Sequence, residues 1–169
     1  MKKLILFISS VLIITSAFSQ SETPKFNLHP KTGEIYYSEV IKAEGKSKDN
    51  LFLSAKTWFV DTFRSSKDVI QLIDKEEGVI IGKGRLNLKK GFVKFSLKLS
   101  TKEERYQYKI YNVGYEAYFG GDFDLRQERP KGINNRMWPN TWKKDRKSAQ
   151  SGLQDLTISI IKNISSNEI

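Results

Sequence analysis

Few side chains in this chain could do chemistry. It has no cysteine and one histidine, His29, so a thiol nucleophile is excluded. A Ser-His-Asp arrangement would have to recruit a single imidazole next to Pro30, ahead of the patterned part of the chain. A metal site built on several histidines is excluded by the same count. Acids remain. Glu76-Glu77 and Glu103-Glu104 are adjacent pairs in expected turns, where solvation accounts for them. Asp122, Asp124 and Glu128 form the best oxygen-ligand set, but a calcium loop alternates its ligands in another pattern and closes on a glutamate. A hydrolase working through a carboxylate pair, the competing reading, needs two acids in one cleft, and no spacing here implies one. The expectation is therefore no catalytic residue, no metal and no cofactor.

Positive charge is plentiful: 29 Lys plus Arg against 19 Asp plus Glu, a net charge of +10. Its most regular display is Val79 to Leu99, VIIGKGRLNLKKGFVKFSLKL. Strand periodicity sends alternate residues to opposite faces. Val93, Phe95, Leu97 and Leu99 then share one face with Ile80, Gly82, Gly84, Leu86 and Leu88. Lys83, Arg85, Lys94 and Lys98 are neighbours on the other. In the following strand Lys109 and Tyr111 alternate with Tyr108 and Ile110, and either set could join the cations, depending on a bulge. One reading of the alternation is structural: an antiparallel sheet covered on one side must solvate the other. The sharper reading is a shallow anion-binding face, because like charges without interleaved acids repel unless a partner offsets them. Anionic envelope polymers, lipid headgroups or an acidic protein fit such a face. A cationic surface also attracts nucleic acid, but the export expected below argues against that partner. Trp138 and Trp142, with Arg136 and Lys143 nearby, could stack on a sugar or aromatic ligand. They could also fold back onto the core, the better reading because tryptophan is highly buried on average.

The elements that must position these residues can be read in order. Lys2-Lys3, an apolar run from Leu4 to Ile14 and Ala17-Phe18-Ser19 have the layout of a secretory signal peptide cut after Ser19. The run is shorter than the ~20 residues of a spanning helix, so no transmembrane segment is expected after cleavage, and a periplasmic or extracellular soluble protein is the expected product. Loss of Lys2 and Lys3 leaves a net charge of +8. Residues 20–32 read as a linker or loosely held arm, and 33–166 as a single domain with a long loop at 120–141. Within it, Ile35 to Ile41 is a strand. Ser47 caps a helix whose apolar face is Leu51, Phe52, Ala55, Trp58, Phe59 and Phe63, ending near Arg64 at Ser65-Ser66. Four strands follow as a meander: Val69 to Asp74, Val79 to Leu88, Phe92 to Ser100, and one within Arg105 to Phe119. Gly82 and Gly84 leave room for Trp58 or Phe59 to approach the sheet. A last helix begins near Thr141, with Ala149, Leu153, Leu156, Ile160 and Ile164 on one face. Lys143, Lys144, Arg146 and Lys147 crowd its start, against the helix dipole. Gly152 either weakens it or lets it pack closely.

This order resembles one half of the TATA-binding protein fold. More specifically, Gly45-Lys46-Ser47-Lys48-Asp49-Asn50-Leu51, then Trp58-Phe59, Ser65-Ser66-Lys67, Asp74-Lys75-Glu76-Glu77-Gly78 and Ile81-Gly82-Lys83-Gly84 are similar to a family of exported bacterial domains of unknown function with a TATA-binding-protein-like (TBP-like) fold. The resemblance covers about Gly33 to Phe119. It implies an α+β domain, β-α-β-β-β-β-α, with a curved antiparallel sheet of order 1-5-4-3-2 and both helices on one face. It implies no activity.

Overall fold

The computed structural model describes residues 24–63, 69–128 and 139–166. The expected signal peptide over 1–19, the Ser65-Ser66 helix stop, and Arg136 and Trp138 lie outside the described residues. Within them the chain runs β1 (Tyr37–Lys42), α1 (Lys48–Thr62), β2 (Ile70–Asp74), β3 (Val79–Asn87), β4 (Gly91–Lys102), β5 (Arg105–Ala117), β6 (Asp122–Phe123) and α2 (Pro139–Ser166). The sheet is antiparallel throughout, ordered β1-β5-β4-β3-β2, with β6 also on β5. This is the expected α+β architecture. The short strand β6 was not foreseen; it and the early start of α2 shorten the loop expected over 120–141.

Local chemistry explains why α1 forms where it does. The Ser47 hydroxyl accepts the Asn50 N–H at 3.2 Å, and Asp49 sits in the first turn, so an orphan amide is satisfied and the dipole is complemented. The Glu103 carboxylate adds a bond from the Lys48 N–H at 3.0 Å. Glu104 accepts the Gly45 N–H at 3.1 Å. The adjacent acids of that turn, read from sequence as merely solvated, hold the entry to the helix.

Both helices cover one face of the sheet. Val93, Phe95, Leu97 and Leu99 of β4 and Tyr106, Tyr108, Ile110 and Tyr115 of β5 are buried there with Leu51, Phe52, Trp58 and Phe59 of α1 and Ala149, Leu153, Leu156, Ile160 and Ile164 of α2. Phe59 is the residue that uses the glycine gap: a Cβ on Gly82 would lie 2.7 Å from its ring, and one on Gly84 would lie 2.9 Å from Phe63. Trp58 points instead to α2, where its indole N–H donates to Ser159 Oγ at 3.0 Å. Gly152 does permit close packing, since a Cβ there would meet Leu86 at 3.0 Å.

The start of α2 and the segment before β1 differ from the sequence reading for one shared reason. Arg146 is buried, not solvated; its guanidinium donates to the Leu125 carbonyl at 2.8 Å and to the Pro24 carbonyl at 3.4 Å. Gln150 donates to the Lys25 carbonyl at 2.7 Å. Residues 24–32 are therefore not a loose arm. Pro24 is buried, Phe26 packs against the core, and Leu28 bridges to Ile35 across a turn closed by His29 and Glu34. The lone histidine belongs to this turn. Its Nδ1 lies 3.3 Å from the N–H groups of both Lys31 and Thr32, and its ring meets Tyr36 edge-on.

Candidate anion-binding face

The face of the sheet away from the helices is set by register. Across β3 and β4, Lys83 stands opposite Ser96, Arg85 opposite Lys94, and Ile81 opposite Lys98. Across β4 and β5, Lys98 stands opposite Lys109 and Lys102 opposite Arg105. Arg105 in turn faces Lys42 of β1. The open face thus carries transverse rows: Lys42–Arg105–Lys102 at one end, Lys109–Lys98 in the middle, and Lys94–Arg85 towards the other end, with Lys83 beside Ser96 between the last two.

Which residues of β5 join these rows depends on a bulge. Lys94 pairs with Gly114 but Ser96 pairs with Tyr111, so β5 has one extra residue between them, and Asn112 takes a positive φ of 53°. Such an insertion reverses the face parity of everything beyond it. Arg105, Gln107, Lys109 and Tyr111 lie on the open face before the bulge, and Gly114 and Glu116 after it. Without the insertion, Glu116 would point into the core and Tyr115 out of it.

The four cations singled out from the sequence are not equivalent. Lys94 is paired: its ammonium lies 2.7 Å from Asp122 and 3.4 Å from Glu116. The hydrogen bond to Asp122 is the main reason its pKa is raised. The expectation of a cationic row without interleaved acids fails here, because β6, unforeseen, brings Asp122 opposite Glu116. Arg85 lies over the Phe92 ring, 5.4 Å from its centre, a cation–π contact. Among the described residues Lys83, Lys98, Lys109, Lys42, Lys102 and Arg105 have no acid within ion-pairing distance. The unpaired charge therefore lies towards the Lys42–Arg105–Lys102 end. There a shallow depression of about 190 Å³ is lined by Val40, Ser100, Lys102, Arg105, Tyr106 and Gln107. Lys102 lies beyond Ser100, where the sequence reading ends that strand, and one more step of its alternation finds it; Arg105 shares the parity of Lys109, whose face the sequence leaves open.

Trp142, offered as a stacking platform, is buried at 2% exposure. It packs edge-on against Tyr115 at 5.1 Å and beside Phe123, and its indole N–H donates to the Gln127 carbonyl at 3.0 Å. Its ring has no free face for a ligand, which is the core-docking outcome. Trp142 pins the chain after β6 onto the base of α2.

Among the described acids, Asp122, Asp124 and Asp145 each have a partner. Asp124 accepts the Arg126 guanidinium at 2.8 Å in a forked pair, and Arg126 also donates to the Gly33 carbonyl at 2.8 Å. Arg126 holds the Asp124 carboxyl below its usual range, the opposite of what a general acid requires. This pair lines a recess of about 240 Å³ with Glu34, Ile35, Asn112 and Val113, in the gap between β1 and β6 along β5. Asp122 is engaged by Lys94. Buried Asp145 accepts the Tyr115 hydroxyl at 2.8 Å and the Lys90 N–H at 3.3 Å, and so serves packing. Among the described residues no helix is long and apolar enough to cross a membrane.

Residues 37–116 match the family described as a domain of unknown function (DUF4468) with TBP-like fold. A TBP-like protein from Parabacteroides distasonis has the same fold, with a TM-score of 0.64 at 14% identity over 87% of this chain and 100% of that one. A DUF4468 family protein from Bacteroides ovatus aligns with a TM-score of 0.63 at 13% identity, over 83% of this chain and 91% of that one. No curated protein matches the sequence.

Proposed function

Taking the chain as a carrier of the DUF4468 domain on a TBP-like scaffold, we propose that it is an exported, non-catalytic binding module that holds an anionic envelope partner on its open sheet face. The observation that carries this reading is the cross-strand pairing of like charges, Lys98 opposite Lys109 and Lys102 opposite Arg105. Directly opposed cations destabilise a sheet, so a bound anion would gain what the empty face loses. Solvation alone asks only for polar side chains, and neutral ones would serve it equally.

Replacing both Lys98 and Lys109 with Gln tests this. Binding of the chain from Gln20 onward to dextran sulfate, a soluble polyanion, should weaken about tenfold at low salt, where screening is least. Unchanged binding by a folded variant would leave the lysines as solvating groups only. Export is tested separately: amino-terminal sequencing of the protein from its native host should begin at Gln20, and a start at Met1 would contradict it.

A further inference from the structure

The end of the open face beyond Lys94 differs in kind from the rest. Strands β5 and β6 are joined by a tight turn in which the Gly120 N–H bonds to the Ala117 carbonyl and the Ala117 N–H to the Gly121 carbonyl, both at 3.0 Å. Gly120 and Gly121 adopt φ of 94° and 101°, which side chains with a Cβ rarely tolerate. The turn is thus closed by two backbone bonds and suited to glycine at both positions. It projects Tyr118 and Phe119, which are 58% and 63% exposed. Tyr118 leans on Phe92, ring centres 6.2 Å apart, and Phe92 stands on the open face under Arg85. The neighbouring β3–β4 turn is bonded to this one through the Tyr118 N–H and the Lys90 carbonyl at 3.0 Å, and its Lys89 and Lys90 are exposed. Of the acids close by, Glu116 and Asp122 are engaged by Lys94, and Asp145 is buried beneath the turn on the Tyr115 hydroxyl and the Lys90 N–H.

Exposed aromatic side chains at the tip of this turn, with Arg85, Lys89 and Lys90 beside them, match the two layers of a bilayer surface. Tyrosine favours the headgroup region, where its ring is shielded and its hydroxyl stays wet. Surrounding cations are drawn to anionic headgroups. A soluble polyanion would use the cations but gain little from the two exposed rings. Resting on the anion-binding reading above, we infer that the partner is an anionic lipid bilayer and that Tyr118 and Phe119 enter its interface while Arg85, Lys89 and Lys90 hold the headgroups.

The test compares two probes: vesicles of phosphatidylcholine mixed with phosphatidylglycerol, and dextran sulfate. Wild type should bind both. Tyr118→Ser with Phe119→Ser should weaken vesicle binding about tenfold, since interfacial affinity scales with the apolar area inserted, and leave dextran sulfate binding within about twofold. Wild-type binding to dextran sulfate but not to vesicles would overturn the bilayer inference and leave the anion-binding face standing. Equal vesicle binding by the double variant would overturn insertion of the tip. Failure to bind either probe would remove both readings. A second readout does not depend on the double variant folding. The chain has no cysteine, so Phe119→Cys takes a single environment-sensitive dye. Its emission should shift blue and become shielded from an aqueous quencher on the mixed vesicles; unchanged emission on bound protein would contradict the inference.

Discussion

The two faces of β4 and β5 place the same backbone in opposite surroundings. On the covered face the polar tips end on partners: the Tyr106 hydroxyl on Ser165 at 2.9 Å, Tyr108 on Glu39 at 3.2 Å, Tyr115 on Asp145 at 2.8 Å. On the open face Lys98 confronts Lys109, and Lys102 confronts Arg105. On the covered face these three hydroxyls are satisfied. The open face carries charge that raises the energy of the folded chain. Stability is thus concentrated on one side, and the residues free to bind something else on the other.

That contrast breaks most visibly at the covered face. Trp58 is 3% exposed, bonded to Ser159 and edge-on to Phe63 at 5.9 Å. Trp58→Ala should cost ~3–5 kcal/mol in denaturant unfolding, the scale for a buried aromatic. A loss under about 1 kcal/mol would mean that α1 is not anchored to α2 through this ring. Tyr115→Phe should cost less, about 1–3 kcal/mol, by removing a donor from buried Asp145. A neutral result there would show that the Lys90 N–H satisfies the carboxylate by itself.

Alkaline pH probes the same face without mutation. Burial is the main cause that raises the Tyr106, Tyr108 and Tyr115 hydroxyls above their usual pKa, Tyr108 to about 12, with Glu39 and Asp145 adding to the shift at Tyr108 and Tyr115. The unfolded chain releases these protons near pH ~10. Their stabilisation is complete below that pH, and it is lost as pH rises towards the folded values. The unfolding midpoint should therefore hold level up to pH ~10 and fall between ~10 and ~12. A flat profile across that window would mean the phenols titrate as if exposed. The smallest effect belongs to the open face: Lys98→Gln with Lys109→Gln should change stability by no more than about 0.5 kcal/mol, and any change should be a gain.

Much of this contrast was legible in the sequence. Alternation assigned both faces of β3 and β4, because a strand's period of two leaves no freedom once one set is apolar. Helical spacing located α1 and α2, and the Ser47 cap fixed where α1 begins. Face assignment in β5 was left open, because the bulge at Asn112 turns on a backbone angle that asparagine tolerates but does not announce. The neutralisation of Lys94 was invisible for a related reason. Asp122 is brought to it by a two-residue strand, too short to show a period. Burial of Arg146 and docking of residues 24–32 depend on each other across the whole chain, so no local pattern marks either. Trp142 was placed by its size alone, and its packing against Tyr115 agrees.

Whether the open face holds an anion by its charge is decided by a salt titration of dextran sulfate binding to the wild-type chain from Gln20 onward. Exposed charges act over ~10 Å at about 0.1 M salt and ~3 Å at about 1 M. Affinity should fall steadily across that range by more than about tenfold, and the slope should flatten when Lys98 and Lys109 are Gln. Binding that ignores salt, or a slope untouched by the substitutions, would mean that the charge of this face does not hold the anion.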